Sequence, residues 1–170
     1  MPCFVLVLRL GKSLDLAFGA LASLAVKDVV VRLALVLAKI NQAIYLLVDH
    51  KLWLIKVGVI KGDSKAYAKL AAKFWLVTIT FNLMRNLRDL LNIYRKHAKS
   101  RQPTKDTLQE FMSNKPMLVD SLKNGCDVFL PLAGLDLLKI SVGWQGVLGM
   151  TSSILAMMQT WDSKYKLLPA

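Results

Sequence analysis

Side chains suited to chemistry are scarce in this sequence, which has two histidines and two cysteines among 170 residues. Cys3 and Cys126 lie far apart, in no CxxC or metal-type spacing, so neither a disulfide framework nor a zinc site is indicated and both read as free thiols. No HExxH or Cys/His constellation occurs. The GKS at residues 11–13 lacks a phosphate loop's first glycine, because that position is Leu6. GMTSS at residues 149–153 lacks the closing glycine of a nucleophile elbow. These absences predict a non-enzyme with no catalytic residue, cofactor or metal ligand. Acidic residues are also few, 11 against 23 Lys and Arg, for a net charge of +12. MPCFVLVLRL carries no basic region ahead of an apolar run that Arg9 breaks, so no secretory signal is predicted, although ALASLA at residues 20–25 imitates a cleavage site. The terminal KLLPA is not an SKL-type peroxisomal address.

What is abundant is apolar surface. The chain is 55% hydrophobic and its mean hydropathy is positive. Nucleic-acid binders reach a charge of this size but seldom with such a hydrophobic excess, so no nucleic-acid partner is expected. A basic membrane protein satisfies both, since Lys and Arg near an anionic leaflet are each worth about 1 kcal/mol. The run from Ile140 to Trp161 holds no charged side chain, and a bilayer core asks for roughly 20 apolar residues. Lys139 and Trp144 at one end, with Trp161, Lys164, Tyr165 and Lys166 at the other, suit headgroup depth. The sequence predicts a C-terminal transmembrane helix at about 140–161, a Gly-rich core helix being the alternative.

Residues 14–57 read as nearly continuous helix, with Ser13 as N-cap and Gly58 as stop. Asp28, Arg32, Lys39, Gln42, Asp49 and Lys56 form one narrow polar stripe on it, which fits a helix buried in a bundle as well as one embedded in lipid. A second helix is predicted from about Ser64 to Lys99. Its apolar centre, Phe74 to Met84, is too short to span and reads as interfacial or half-buried. Arg85, Arg88, Arg95, Lys96 and Lys99, followed by Arg101 and Lys105, form a basic cluster expected to meet lipid headgroups, or else a solvated face. The domain reading is an N-terminal region of amphipathic and apolar helices over 1–97, a basic and polar linker over 98–116 containing a short TLQEF helix, and a C-terminal region over 117–170. In the last, a helix opened by Pro116 runs to an interruption at Pro131 and Gly134. The fold class is therefore an all-α integral membrane protein. Gly146, Gly149, Ser153, Ala156 and Thr160 recur at steps of three and four, a small-residue face that predicts helix–helix contact and a homo-oligomer; such residues are also simply common in membrane helices.

Three stretches resemble the peroxin-eleven proteins of the peroxisomal membrane: INQAIYLLVDHKLWLIKVGV at 40–59, KFWLVTITFNLMRNLRDL at 73–90, and NGCDVFLPLAGLDLL at 124–138 running into GWQGVLGMTSSILAM at 143–157. Their order and spacing match across nearly the whole chain. The resemblance implies a protein of the peroxisomal membrane that elongates it before fission, self-associates, works with a dynamin-related GTPase and its membrane adaptors, and is delivered by the membrane-protein receptor peroxin-nineteen. Insertion of an amphipathic helix into one leaflet would bend the bilayer. Family members usually carry a few dozen more residues before the stretch that resembles VLRLGKSLDLAFGALAS, so a shortened form is expected. Two spans with both ends in the cytosol would place the basic stretch 85–105 in the lumen, whereas a single span keeps it cytosolic, as positive charge prefers. A second function, a pore for small metabolites, predicts that Arg32, Lys39 and Asp49 line a water-filled path. A lipid-metabolic enzyme is the third, and no catalytic constellation supports it.

Overall fold

Asp28 begins the first long helix because its carboxylate accepts from the backbone N–H of Val30 at 2.9 Å and of Val31 at 3.4 Å, satisfying donors that a helix start leaves unpaired. The helix, α1, spans Val29–Lys56, and Gly58, at φ 84°, turns the chain out of it. Asp63 caps α2, Ser64–His97, through the N–H of Lys65. The chain continues as α3, Pro103–Ser113; α4, Lys115–Asp127; α5, Phe129–Gly134; and α6, Val142–Trp161, with 3-10 turns at Ser23–Ala25 and Ser163–Tyr165. The computed structural model describes residues 15–167 apart from 17, 22, 27, 100, 101 and 166, and among these no strand occurs. Ser13, the GKS motif, Cys3 and Arg101 lie outside them, as does most of the stretch on which a shortened start was expected.

Three expectations are corrected. The continuous helix over 14–57 is broken at Ser23–Ala25 and restarts at Asp28, whose side chain competes with the helix for the N–H groups ahead of it. The linker over 98–116 is largely the helix α3, started by Pro103. It meets α4 with no spacer, because Asn114 closes α3 by donating its N–H to the Glu110 carbonyl and caps α4 by accepting from Met117. Pro131 and Gly134 lie inside α5 rather than breaking the chain. The break follows them, at residues 135–141, where Asp136 takes φ 61°, a region that Asp tolerates better than most residues.

α1 and α2 form an antiparallel hairpin. Lys51 sits over the ring of Tyr67, Tyr45 stacks on Trp75 with centroids 6.1 Å apart, Asn41 donates to Thr78 and to the Phe74 carbonyl, and Arg88 reaches Asp28 at 3.2 Å. Small residues Ala34, Ala38 and Ala71 are buried between them and permit close approach. α4 and α5 then run antiparallel to α2, with Asn86 meeting Asp120 and Lys69 meeting Asp136 at 3.0 Å. α6 runs back along α4, where Gln159 reaches Asp120. α1 packs on neither α4 nor α6, and α2 does not pack on α6. The long helices thus form a row, α1, α2, α4 with α5, then α6, and α3 packs beside it on α2 and α4. Most domains pack two layers around one core. A single row buries only the seams between neighbours and leaves two broad faces open.

Candidate functional site

The open faces carry the apolar residues that the composition promised. On α1, Val30, Leu33, Leu37, Ile40, Ile44 and Leu47 recur at steps of three and four, and every one is exposed. On α2 the exposed apolar residues are Leu70, Val77, Met84, Leu87, Leu91 and Tyr94, at steps of seven, three and four. On α6 they are Val147, Met150, Ile154, Met157 and Trp161. Contiguous apolar surface on this scale marks an interaction or membrane face. Hydroxyls on these faces are satisfied within their own helices: Thr80 donates to the Leu76 carbonyl, Thr151 to Val147 and Ser153 to Gly149. These three hydroxyls make no demand on water, as lipid requires.

Among the described residues one helix is long and apolar enough to cross a membrane, α1, and only 28% of its most apolar window is buried. Its 28 residues reach about 42 Å at 1.5 Å per residue, more than a hydrocarbon core of about 30 Å. The sequence had left this helix open between bundle core and bilayer; its exposure favours the bilayer. The helix expected at 140–161 forms as Val142–Trp161, uncharged, with Trp144 and Trp161 exposed at its ends. It falls short of the same hydropathy criterion because Gln145, Gln159 and several hydroxyls dilute its 20 residues.

The basic residues expected at headgroups divide. Arg85 is buried, its Nε 3.8 Å from Asp89 Oδ2 and without a hydrogen-bond partner, so it is no surface contact. Arg88 is half-buried on Asp28. Lys96 pairs with Glu110 at 3.0 Å. Arg95 and Lys99 are exposed at the end of α2, with Lys105 exposed on the first turn of α3. Helical spacing aligns Arg85 with Asp89 and Asn92, but the sequence could not see that this side turns toward the start of α1.

The small-residue seam on α6 is open. Gly146 has nothing within 4 Å of where a Cβ would stand, Gly149 faces Leu130 at 3.7 Å, Ser153 and Thr160 are exposed, and Ala156 is half-buried. Among the described residues nothing fills the seam at Gly146. Lys39, expected on a water-filled path, instead places its ammonium on the Gly19 carbonyl and the Ser23 hydroxyl, each at 2.7 Å, so the polar stripe is tied to the preceding turn at that point.

Three carboxylates organise the end of the row where α1 starts, and the sequence reading assigned none of them this role. Burial pushes Asp28 up, but the Val30 N–H, the Arg88 guanidinium and the Val31 N–H outweigh it and hold its carboxyl below the usual value. Burial raises Asp89, against the pull of Arg85 and with the repulsion of Asp28 and Asp120. Asp120 accepts from Asn86 at 3.1 Å, from buried Asn124 at 2.8 Å and from Gln159 at 3.3 Å, joining α2, α4 and α6. On α3, Glu110 receives His97 and Lys96, whose hydrogen bonds lower its carboxyl. The only hint in the sequence is the four-residue spacing of Asp120 and Asn124. Among the described residues no group of His, Cys, Asp and Glu could hold a metal ion.

Comparison with known proteins agrees with this picture of an apolar, basic, helical chain. The family model described as Peroxisomal biogenesis factor 11 (PEX11) matches residues 6–161. The chain is 28% identical to Peroxisomal membrane protein 11A of Mus musculus, over 94% of this chain and 75% of that protein. It is 27% identical to Peroxisomal membrane protein 11B of Homo sapiens, over 89% and 74%. A shorter match, 28% identical over 50% of this chain and 35% of the relative, links it to Peroxisomal biogenesis factor 11 of Schizosaccharomyces pombe. No solved structure matches.

Proposed function

The chain belongs to the Peroxisomal biogenesis factor 11 family, and from that premise we propose that it elongates the peroxisomal membrane and promotes fission by laying its row of long helices into the bilayer. It is a peroxisomal membrane protein of peroxisome biogenesis, and the family is one of biogenesis factors rather than a known enzyme family. The observation that carries the finer reading is the single row of helices with exposed apolar stripes on α1, α2 and α6. Such a row covers little of itself, so lipid must cover it. α2 is longer than α1, and its last turns run past Asp28, where α1 begins. Arg95 and Lys99 thereby stand beyond the start of the candidate span, at headgroup depth. A row that adds more bulk to one leaflet than to the other expands that leaflet and bends the membrane.

Self-association would concentrate the effect, and the open seam at Gly146, Gly149, Ser153 and Ala156 is the surface we assign to it. A dynamin-related GTPase with its membrane adaptors, and the peroxisomal membrane-protein receptor, are the partners proposed from the family resemblance. The test is expression of the tagged chain in cells lacking their own homologue, with peroxisome length and number scored by microscopy. Elongated or more numerous organelles are expected. Correct targeting with unchanged morphology would overturn the remodelling role.

A further inference from the structure

At the end of the hairpin where α1 starts, a cavity of about 340 Å³ opens between α1, α2 and the junction of α3 with α4. That is near the lower limit of small-molecule sites. Its walls differ in character. Val31 and Met117, both buried, make an apolar side, while Arg85, Asp89, Asp28 and Asn92 make a charged and polar side. Asp28 is committed to Arg88 and to the helix cap. Arg85 and Asp89 are not equally well served. Their nearest approach is 3.8 Å, beyond a hydrogen bond, and the buried Arg85 Nε–H has no acceptor among the described residues. A buried donor left unmade is costly, and native structures rarely keep one without a reason. Burial also pushes the Asp89 carboxyl toward its neutral form.

One ligand chemistry resolves both deficits together: an oxyanion to accept from Arg85 and Asn92, joined a few atoms away to a primary ammonium that donates to Asp89. We infer that this cavity holds the headgroup of a zwitterionic phospholipid bearing a primary ammonium, as in phosphatidylethanolamine. The phosphate lies on Arg85, the ammonium on Asp89, and the glycerol end leaves past the apolar wall toward the acyl region. A trimethylated choline head has no N–H to donate, and a headgroup lacking a cation would leave Asp89 without a donor. The inference rests on the membrane placement proposed above, since only a chain at the interface presents this end of the row to headgroups.

The whole chain is first floated with phosphatidylcholine vesicles, with and without phosphatidylethanolamine. It is then reconstituted in nanodiscs of the mixed lipids, released into mild detergent, and its retained lipids are identified by native mass spectrometry. Retention of phosphatidylethanolamine in preference to phosphatidylcholine by roughly tenfold, the worth of one charge-assisted hydrogen bond, is expected. Asp89→Asn keeps the shape of the wall and is expected to erase the preference while leaving flotation intact. Asn92→Leu, at an exposed position, is expected to reduce it without threatening the fold. Flotation without lipid preference, or full preference retained in Asp89→Asn, overturns the site and leaves the membrane placement standing. Failure to float overturns both. Displacement of the retained lipid by soluble phosphoethanolamine in place of the diacyl lipid would assign the site to the free headgroup and overturn the lipid.

Discussion

Asp120 shows how much one residue holds in a row of helices. Its carboxylate is the acceptor for amides from α2, α4 and α6, and two of the donors, Asn86 and Asn124, are buried. Asp120→Ala removes the carboxylate and keeps the donors, so the Asn86 and Gln159 amides lose this acceptor while Asn124 keeps the Asp120 carbonyl. A loss of about 3 kcal/mol is expected, read as the unfolding free energy in detergent micelles. Asp120→Asn retains one carbonyl and is expected to lose less. Glu110 gives a second expectation at this scale. His97 and Lys96 hold its carboxyl below its ordinary value of 4.5, so the stabilisation is present above that value and lost as pH falls beneath it through the folded value. Amide hydrogen exchange across α3 is expected to accelerate below pH 4.5 in the native chain relative to Glu110→Gln, a ratio that cancels the intrinsic pH dependence of exchange. An unchanging ratio would show that the clamp does not hold α3.

Among the elements, α6 separates two jobs that its sequence interleaves. One side, with Ser152 buried and Gln159 on Asp120, is used against α4; the side through Gly146, Ser153 and Thr160 is not used by the described residues. Gly146→Leu combined with Ser153→Leu therefore enlarges side chains only where the chain has open space. Folding and membrane insertion are expected to be unchanged and self-association weakened by roughly tenfold, in keeping with the modest energies of membrane helix contacts. Crosslinking in nanodiscs reads the result, and persistence of the same oligomers would place the contact elsewhere. Gly149→Leu is less clean, because Leu130 already stands 3.7 Å from the position of its Cβ.

For the whole molecule, the decisive quantity is the apolar area that a single row leaves uncovered. Leu37→Lys with Ile44→Lys would place two charges near the middle of the exposed stripe of α1 without touching its buried side. On insertion scales each costs about 3 kcal/mol at the centre of a span. The chain is expected to shift from the carbonate-resistant membrane fraction to the extractable one. Unchanged resistance would mean that α1 lies on another protein surface and not in lipid.

The all-helical class, α2 almost to the residue, the start of α4 within a residue of Pro116 and the uncharged helix at 142–161 were legible in the sequence, because Gly, Pro and capping residues act within a few positions of themselves. The family, too, could be read from three short stretches. What local pattern could not give was which side of each helix meets another helix. The arginines of 85–99 look alike in sequence, yet Arg85 is buried beside Asp89 while Arg95 stands exposed. The stretch from 98 to 116 looks like a linker until Glu110 finds Lys96 and His97. Composition alone made this chain apolar and basic. Only the tertiary arrangement, by lining the long helices up in one layer and not folding them around a core, decided that the apolar area would face outward, since a single layer has no second one to cover it.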